Sequence, residues 1–241
     1  MKQHEAVILT LERLGGQATL AELYRETMKV EGPVWKTKTP FASIRRIVQT
    51  RDEIFKVRPG LWALESHRKH LGLQKTDSAR PTRDVIEQNH SYYQGLLAII
   101  GNLRGFSTFI PNQDKNRLCV GKPLHELRSF QTLPDFSHKK LVHRSSSVDV
   151  IWSNQRQMPH SFFEIEHSTD FQNSLSKLSD LQDFYTRMVF VSDESKRPEF
   201  ISKVSMSSFE QIKGRVEFMN YDLLVKEYET EMLKSSAGFR L

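Results

Sequence analysis

Apolar residues recur at helical spacing in three stretches of the first fifty residues, and each stretch carries a helix start or stop signal. Gly15-Gly16 ends the first stretch, Thr19 is a suitable N-cap for the second, and Thr39-Pro40 opens the third. We therefore expect one helix before these glycines, a second over residues 20–30 and a third over residues 40–50. The side chains predicted to face inward are Ala6, Leu9, Leu11, Leu14, Leu20, Leu23, Tyr24, Met28, Phe41, Ile44, Ile47 and Val48.

Two short apolar segments follow, at residues 54–58 and 61–64, and Pro59-Gly60 between them is a turn dipeptide. Three helices followed by a hairpin are typical of a winged helix-turn-helix, which we assign to residues 1–66.

The third predicted helix carries a polar face that fits the major groove of DNA. This face consists of Ser43, Arg45, Arg46 and Gln49. The residues predicted to flank it, where the phosphates of a duplex would run, are Lys36, Lys38, Lys56 and Arg58. The alternative is that these charges are the solvated face of a small helical domain, and winged helices also mediate protein contacts.

A polar segment without periodicity, residues 67–84, is typical of a linker. Residues 85–234 then alternate between helical and strand patterns, which predicts an α/β (α+β) domain with a mixed sheet flanked by helices. Residues 235–241 are a tail. Helices are expected over residues 86–104, 197–204 and 221–233, strands over 106–110, 148–152, 162–166, 188–191 and 216–219, and a long loop over 112–140.

Three acidic residues lie within the predicted strands. Asp149 interrupts the apolar run VDVIW, and Glu164 and Glu166 alternate along FFEIE. Alternation places these two glutamates on one face with Cα atoms about 6.5–7 Å apart, while Phe163 and Ile165 point into the core. A hairpin turn between the strands can bring Asp149 beside them.

Three converging carboxylates repel one another unless a cation neutralises them, and oxygen ligands suit Mg²⁺ or, as a substitute, Mn²⁺. Such a metal activates water and stabilises the charge that develops at a phosphodiester phosphorus. The pattern therefore favours a metal-dependent nuclease. The alternative is that the acids form the solvent-exposed face of a strand and that Asp149 lies at a strand end.

Other polar residues are candidates for the same site. A helix is predicted after Ser168 or Thr169, either of which suits its N-cap, and Lys177 lies at one edge of its apolar stripe. Lys177 is a candidate catalytic lysine or phosphate contact, or else a solvated surface residue. His167 and Gln94 are accessory candidates, His167 for positioning water or substrate and Gln94 for the outer shell of the metal. The stripe consists of Phe171, Leu175, Leu178 and Leu181.

Composition and charge narrow the class of protein. The chain of 241 residues is 38% hydrophobic, has no apolar run long enough for a membrane helix, and begins without a signal-peptide pattern. Its one cysteine forbids an internal disulfide and fits a reducing, cytoplasmic setting. The net charge is 35 − 29 = +6, and residues 1–70 carry 13 basic against 8 acidic residues, or +5. The positive excess therefore lies in the predicted winged helix, where a polyanion would bind.

Two segments resemble known families. The stretch GPVWKTKTPFASIRRIVQTRDEIFKVRPGLWAL resembles the HARE type of helix-turn-helix, a family thought to bind DNA and to sense base modification. Asp149 followed by Glu164-Ile165-Glu166 resembles the core of PD-(D/E)xK nucleases, with Glu166 in place of the usual lysine, as in E-x-E variants. The strings FFEIEHSTDFQNSLSKLSDL and HSYYQGLLAIIGNLRGFSTFIPNQDKNR resemble prokaryotic restriction-like proteins, and together they extend the likeness over most of residues 85–225.

The resemblance implies a restriction endonuclease-like fold that cuts double-stranded DNA with Mg²⁺. Asp149 and Glu164 would hold the metal, and Glu166 would bind metal or orient the attacking water. A homodimer is the simplest way to cut both strands, and a cognate DNA methyltransferase is expected in the same prokaryotic system. The alternatives are a modification-dependent restriction enzyme, an inactive DNA-binding regulator, which the missing lysine would favour, and a nuclease acting on RNA.

Overall fold

The computed structural model describes residues 1–33, 35, 39–73, 83–167 and 170–236. The chain divides into two compact units. The N-terminal unit comprises Met1–Thr82 with Met232–Leu241, and the sheet unit comprises Arg83–Glu231. Nowhere along the described ranges does a helix combine enough length and apolar character to cross a bilayer.

The N-terminal unit contains the three predicted helices and the predicted hairpin, together with one further strand. Its elements are α1 (Gln3–Arg13), β1 (Gln17–Thr19), α2 (Leu20–Thr27), α3 (Pro40–Thr50), β2 (Ile54–Arg58) and β3 (Leu61–Leu64). The sheet is antiparallel in the order β1-β3-β2, and Ala18 pairs with Trp62 across β1 and β3. The bounds of α3 and of the hairpin strands agree with the sequence pattern. Strand β1 was not predicted, because three residues are too few to show a period.

Helix α2 begins at the predicted cap. Thr19 Oγ1 accepts a hydrogen bond from the Glu22 amide at 3.2 Å, and the Glu22 carboxylate accepts one from the Thr19 amide at 2.8 Å. This reciprocal pair is a capping box, which satisfies two amides that a helix start leaves open. The helix ends at Thr27 rather than at residue 30.

Three side chains predicted to be inward are largely exposed: Leu14 at 37%, Met28 at 41% and Phe41 at 40%. Leu14 and Met28 are the C-cap residues that follow α1 and α2. Phe41 lies in the first turn of α3 and stacks on Tyr24 with ring centroids 4.7 Å apart. The core includes six residues predicted to face inward: Leu11, Leu20, Leu23, Tyr24, Ile44 and Val48. Its other buried members are Val7, Ala18, Ile54 and Leu64.

The sheet unit is a five-stranded mixed sheet flanked by helices, as predicted. Strands β8, β9 and β10 run parallel, β7 and β4 are antiparallel to their neighbours, and the order is β10-β9-β8-β7-β4. The elements are α4 (Arg83–Leu103), β4 (Ser107–Phe109), β5 (Leu118–Cys119), β6 (Lys122–Pro123), α5 (Leu124–Leu127), α6 (Lys139–Ser145), β7 (Val150–Ser153), β8 (Pro159–Glu166), α7 (Phe171–Ser179), β9 (Arg187–Ser192), α8 (Arg197–Val204), α9 (Glu210–Lys213), β10 (Val216–Asn220) and α10 (Tyr221–Ser236).

The structure corrects three expectations for this unit. The predicted loop at residues 112–140 contains the β5-β6 hairpin, α5 and the start of α6, which are too short to show a period. Asp149 precedes β7 rather than lying inside it. Asp170 is the N-cap of α7, and its carboxylate accepts from the Asn173 amide, whereas Ser168 and Thr169 lie outside the described residues. The structure agrees with the expected core positions of Phe163 and Ile165, and Phe162, two residues before Glu164, is 0% exposed, so both faces of β8 are covered.

Helix α4 packs closely against the sheet and the β5-β6 hairpin. A Cβ built at Gly95 would overlap Cys119 Sγ, and one built at Gly101 would lie 2.6 Å from Trp152 Nε1. Trp152 also donates a hydrogen bond from Nε1 to the Leu97 carbonyl at 3.0 Å. Close packing at these two glycines therefore fixes how near α4 lies to the hairpin and the sheet, and with it the position of the α4 side chains.

Candidate active site

Strands β7 and β8 bring Asp149 and Glu164 to one end of the sheet. Asp149 directly precedes β7, and its Oδ2 accepts a hydrogen bond from the Ile165 amide of β8 at 2.7 Å. Glu164 lies on β8, the middle strand of the five, and is only 2% exposed. A carboxylate this deeply buried is rare without a compensating charge.

That charge comes from Lys177 of α7. Lys177 Nζ lies 2.8 Å from Glu164 Oε2 and donates a second hydrogen bond to the Ser147 carbonyl at 2.9 Å. The predicted apolar stripe of α7 is fully buried against the sheet, and this packing turns Lys177 toward Glu164. Lys177, predicted to lie at the edge of the apolar stripe, therefore contacts the Glu164 carboxylate.

The cluster retains an imbalance of negative charge. Burial, followed by the nearby Asp149 carboxylate, raises the pKa of Glu164 well above its usual value in spite of Lys177. Burial would raise the pKa of Asp149 as well, but the charge of His90, helped by Lys177 and the Ile165 amide, holds it below its usual value. Glu164 Oε1 is buried and has no hydrogen-bond partner among the described residues. The site is thus suited to accept a cation or a proton at that oxygen.

Two residues at the site were missed by the sequence reasoning, His90 and Asp114. His90 Nε2 lies 3.4 Å from Asp149 Oδ1, and the ligand atoms of His90, Asp114 and Asp149 all lie within 4.8 Å of one another. Gln94, one helical turn from His90, donates from Nε2 to Asp114 Oδ2 at 3.0 Å and to the Asp149 carbonyl at 3.2 Å. The four-residue spacing of His90 and Gln94 was the available signal. Asp114 lies between strands and offered none.

The other two candidates at this end of β8 have different surroundings. Glu166 is half-buried, and its Oε2 lies 3.4 Å from the Ser174 hydroxyl. His167 Nδ1 lies 2.6 Å from the Tyr221 hydroxyl, and Tyr221 stacks on Tyr93 with centroids 4.0 Å apart. Burial, and then the neighbouring Tyr93, raise the pKa of Tyr221, so it stays a neutral hydroxyl. This contact fixes the ring of His167, which also lies near the rings of His90 and Tyr93.

The predicted DNA-binding residues lie in the N-terminal unit. Arg46 and Gln49 are exposed on α3, and Arg45 is exposed while donating from Nε to the Tyr24 hydroxyl at 3.1 Å. Lys56 is exposed on β2. Ser43 and Arg58 are half-buried, and Lys36 and Lys38 lie outside the described residues.

Comparison with known proteins gives one family. The sequence model of the C-terminal domain of the type II restriction enzyme NmeDI matches residues 72–237. A relative, the type II restriction enzyme NmeDI of Neisseria meningitidis serogroup C, is 23% identical over 139 residues, which make up 53% of this chain and 39% of the relative. The match therefore spans about two fifths of that protein's length. No solved structure matches the chain.

Proposed function

The chain belongs to the family of the NmeDI C-terminal domain, and from this premise we propose that it is a metal-dependent endonuclease that hydrolyses phosphodiester bonds in double-stranded DNA. The observation that carries the proposal is the cluster of Asp149, Glu164 and Lys177 at the end of the middle strand. A carboxylate that is 2% exposed, next to a second acid and a half-buried lysine, is costly to the fold and is typical of a catalytic site.

The donor set fits a divalent cation, Mg²⁺ with Mn²⁺ as a substitute. Asp149 and Glu164 would hold it, since carboxylate oxygens are the ligands that these ions prefer. Glu164 Oε1, which has no partner among the described residues, supports this assignment, because a buried carboxylate oxygen without a donor gains most from a cation. When bound, such an ion lowers the pKa of a coordinated water and stabilises charge on the phosphate.

The chain's own residues would prepare the reaction. Lys177 would take the place of the motif lysine that Glu166 replaces, holding Glu164 and placing positive charge beside the scissile phosphate. The Ser147 carbonyl anchors the ammonium group from the other side. Glu166 would orient the attacking water as an acceptor, with His167 held near it by Tyr221. The departure from the usual motif would then be a relocation of the lysine onto α7.

The N-terminal unit would read the DNA as a winged helix of the HARE type. Its helices and hairpin occur in the order α1-β1-α2-α3-β2-β3, and the exposed side chains of α3 include Arg46 and Gln49. In this role α3 would enter the major groove, and the hairpin would contact the backbone through Lys56 and Arg58. The balance of +5 over residues 1–70 supports a polyanionic partner. The system would also include a second copy of the chain and a cognate DNA methyltransferase.

The test is a cleavage assay on methylated and unmethylated genomic DNA with Mg²⁺ or with EDTA. We expect discrete Mg²⁺-dependent fragments from the wild type, none from Glu164→Ala, and unchanged fragments from Glu210→Ala, which removes an exposed glutamate of the same unit. Duplex binding by Glu164→Ala should persist. If no substrate is cut while duplex binding is tight, the protein is a regulator, and cutting of methylated DNA alone identifies a modification-dependent enzyme.

A further inference from the structure

The geometry points to a transition-metal site formed by His90, Asp114 and Asp149, with the imidazole of His90 as a direct nitrogen ligand and with Mn²⁺ bound in preference to Mg²⁺. That the bound ion serves DNA cleavage rests on the proposed function, whereas the binding of the ion does not. The binding itself can be measured without DNA.

The three side chains come from three separate parts of the sheet unit. His90 projects from α4, Asp114 from the segment before β5, and Asp149 from the residue before β7. In an octahedral site with ligand distances of about 2.1 Å, adjacent donors lie about 3 Å apart and opposite donors about 4.2 Å apart. His90 Nε2 and Asp149 Oδ1 are 3.4 Å apart, and all three donors lie within 4.8 Å of one another. Small side-chain rotations would bring them to coordination distance.

A second observation points to a ligand at this place. Gln94 is 0% exposed, and its amide nitrogen contacts the Asp114 carboxylate and the Asp149 carbonyl, so its carboxamide lies against the cluster. Its Oε1 is buried and has no hydrogen-bond donor among the described residues. A water coordinated to a metal at the cluster would supply such a donor. Gln94 would then be a positioning residue, which orients Asp114 and that water.

The surroundings separate this donor set from the Glu164 carboxylate. Glu164 Oε2 is engaged by Lys177, whereas Asp149 turns Oδ1 toward His90. Arg117 lies 3.2 Å from Asp114 Oδ1 and balances part of the negative charge, while each carboxylate oxygen still has a second lone pair for a metal. Asp149 is therefore the residue that the two groups share.

The nitrogen ligand decides the choice of ion. Mg²⁺ and Ca²⁺ take oxygen ligands, whereas imidazole suits first-row transition ions. Mn²⁺ shares the preference of Mg²⁺ for carboxylates, and as a first-row transition ion it gains more than Mg²⁺ from a nitrogen ligand. A set of one imidazole and two carboxylates should therefore bind Mn²⁺ more tightly than Mg²⁺.

The experiment uses the full chain, freed of metal with a chelator and titrated with Mn²⁺ in the absence of DNA. Electron spin echo modulation of bound Mn²⁺ reports a directly coordinated ¹⁴N nucleus, and the loss of the free Mn²⁺ signal gives the affinity. We compare the wild type with His90→Ala, with His90→Gln in case the first variant is poorly folded, and with His138→Ala, which removes an exposed histidine of the same unit.

We expect ¹⁴N modulation in the wild type and in His138→Ala, and its loss in both His90 variants together with at least about tenfold weaker Mn²⁺ binding. Bound Mn²⁺ without nitrogen coupling, coupling that persists without His90, or no Mn²⁺ binding would each overturn the site. Cleavage with Mg²⁺ alongside any of these results leaves the proposed function intact. Nitrogen-coupled Mn²⁺ in a protein that cuts no DNA removes the proposed function and keeps the site.

Discussion

Glu164 and Lys177 form an ion pair that the fold holds almost out of water. The carboxylate side chain is 2% exposed and the lysine side chain 16%. In such surroundings the pair itself contributes little to stability, because desolvation offsets most of its attraction. Removal of one partner is costly, since it leaves the other charge buried without compensation.

We therefore predict that Lys177→Met lowers the free energy of unfolding by about 3 kcal/mol, the lower end of the usual range because the lysine is partly exposed. Urea denaturation of the metal-free protein measures it. The double variant Lys177→Met, Glu164→Leu should recover most of the loss, whereas Lys226→Met, at an exposed position of α10, should cost almost nothing. Equal losses in the single and double variants would contradict this account.

Among the individual site residues, those whose placement depends on local geometry could be predicted from the sequence. Strand alternation identified Glu164 and Glu166, and the hairpin identified Asp149 as their neighbour, because register within one hairpin is short-range. His90 and Asp114 could not be found in this way. They approach Asp149 only through the packing of α4 and of the segment before β5, and such packing leaves no period in the sequence.

Among the elements, α3 offers the clearest functional test. It begins at a proline, buries Ile44 and Val48 against the N-terminal core, and exposes Arg46 and Gln49. Its bounds were predictable because the proline start and the apolar spacing agree. The short elements were not: β1 becomes a strand only by pairing with β3, and α5 is a single turn.

We predict that Arg46→Ala weakens binding to duplex DNA by about 1–3 kcal/mol if the guanidinium contacts a base edge. If it contacts a phosphate, the slope of log affinity against log salt should instead decrease by about one. Fluorescence anisotropy at several salt concentrations distinguishes the two cases. Arg13→Ala removes the same charge from the exposed end of α1 and serves as the control. Equal effects of the two variants would count against α3 as the reading helix.

For the whole molecule, a mixed sheet flanked by helices was predictable from the alternation of patterns, and the order β10-β9-β8-β7-β4 was not. In that order β8 pairs with β9, although α7 separates them in sequence, and β4 pairs with β7, although the long segment containing α5 and α6 separates them. Pairings between strands so far apart in sequence are set by how the helices pack on both faces of the sheet. Since both faces of β8 are buried, its polar residues could not mark one face as solvent-exposed.

The proposed nuclease would have one cluster of catalytic residues among the described residues of each chain, but two strands to cut. We predict that two copies of the chain bind one duplex that contains the target sequence. Sedimentation velocity of Glu164→Ala with such a duplex, in Mg²⁺, should give a complex with two protein chains. A complex with one chain at saturating protein would show that the strands are cut in successive binding events.

The close packing of α4 at Gly95 and Gly101 has a consequence for how this chain tolerates change. A methyl group at Gly95 would push against Cys119 and lift the helix from the hairpin, and with it His90 and Gln94. A random mutational library should therefore contain inactive variants with a substitution at Gly95, although this residue contributes no side chain to the site.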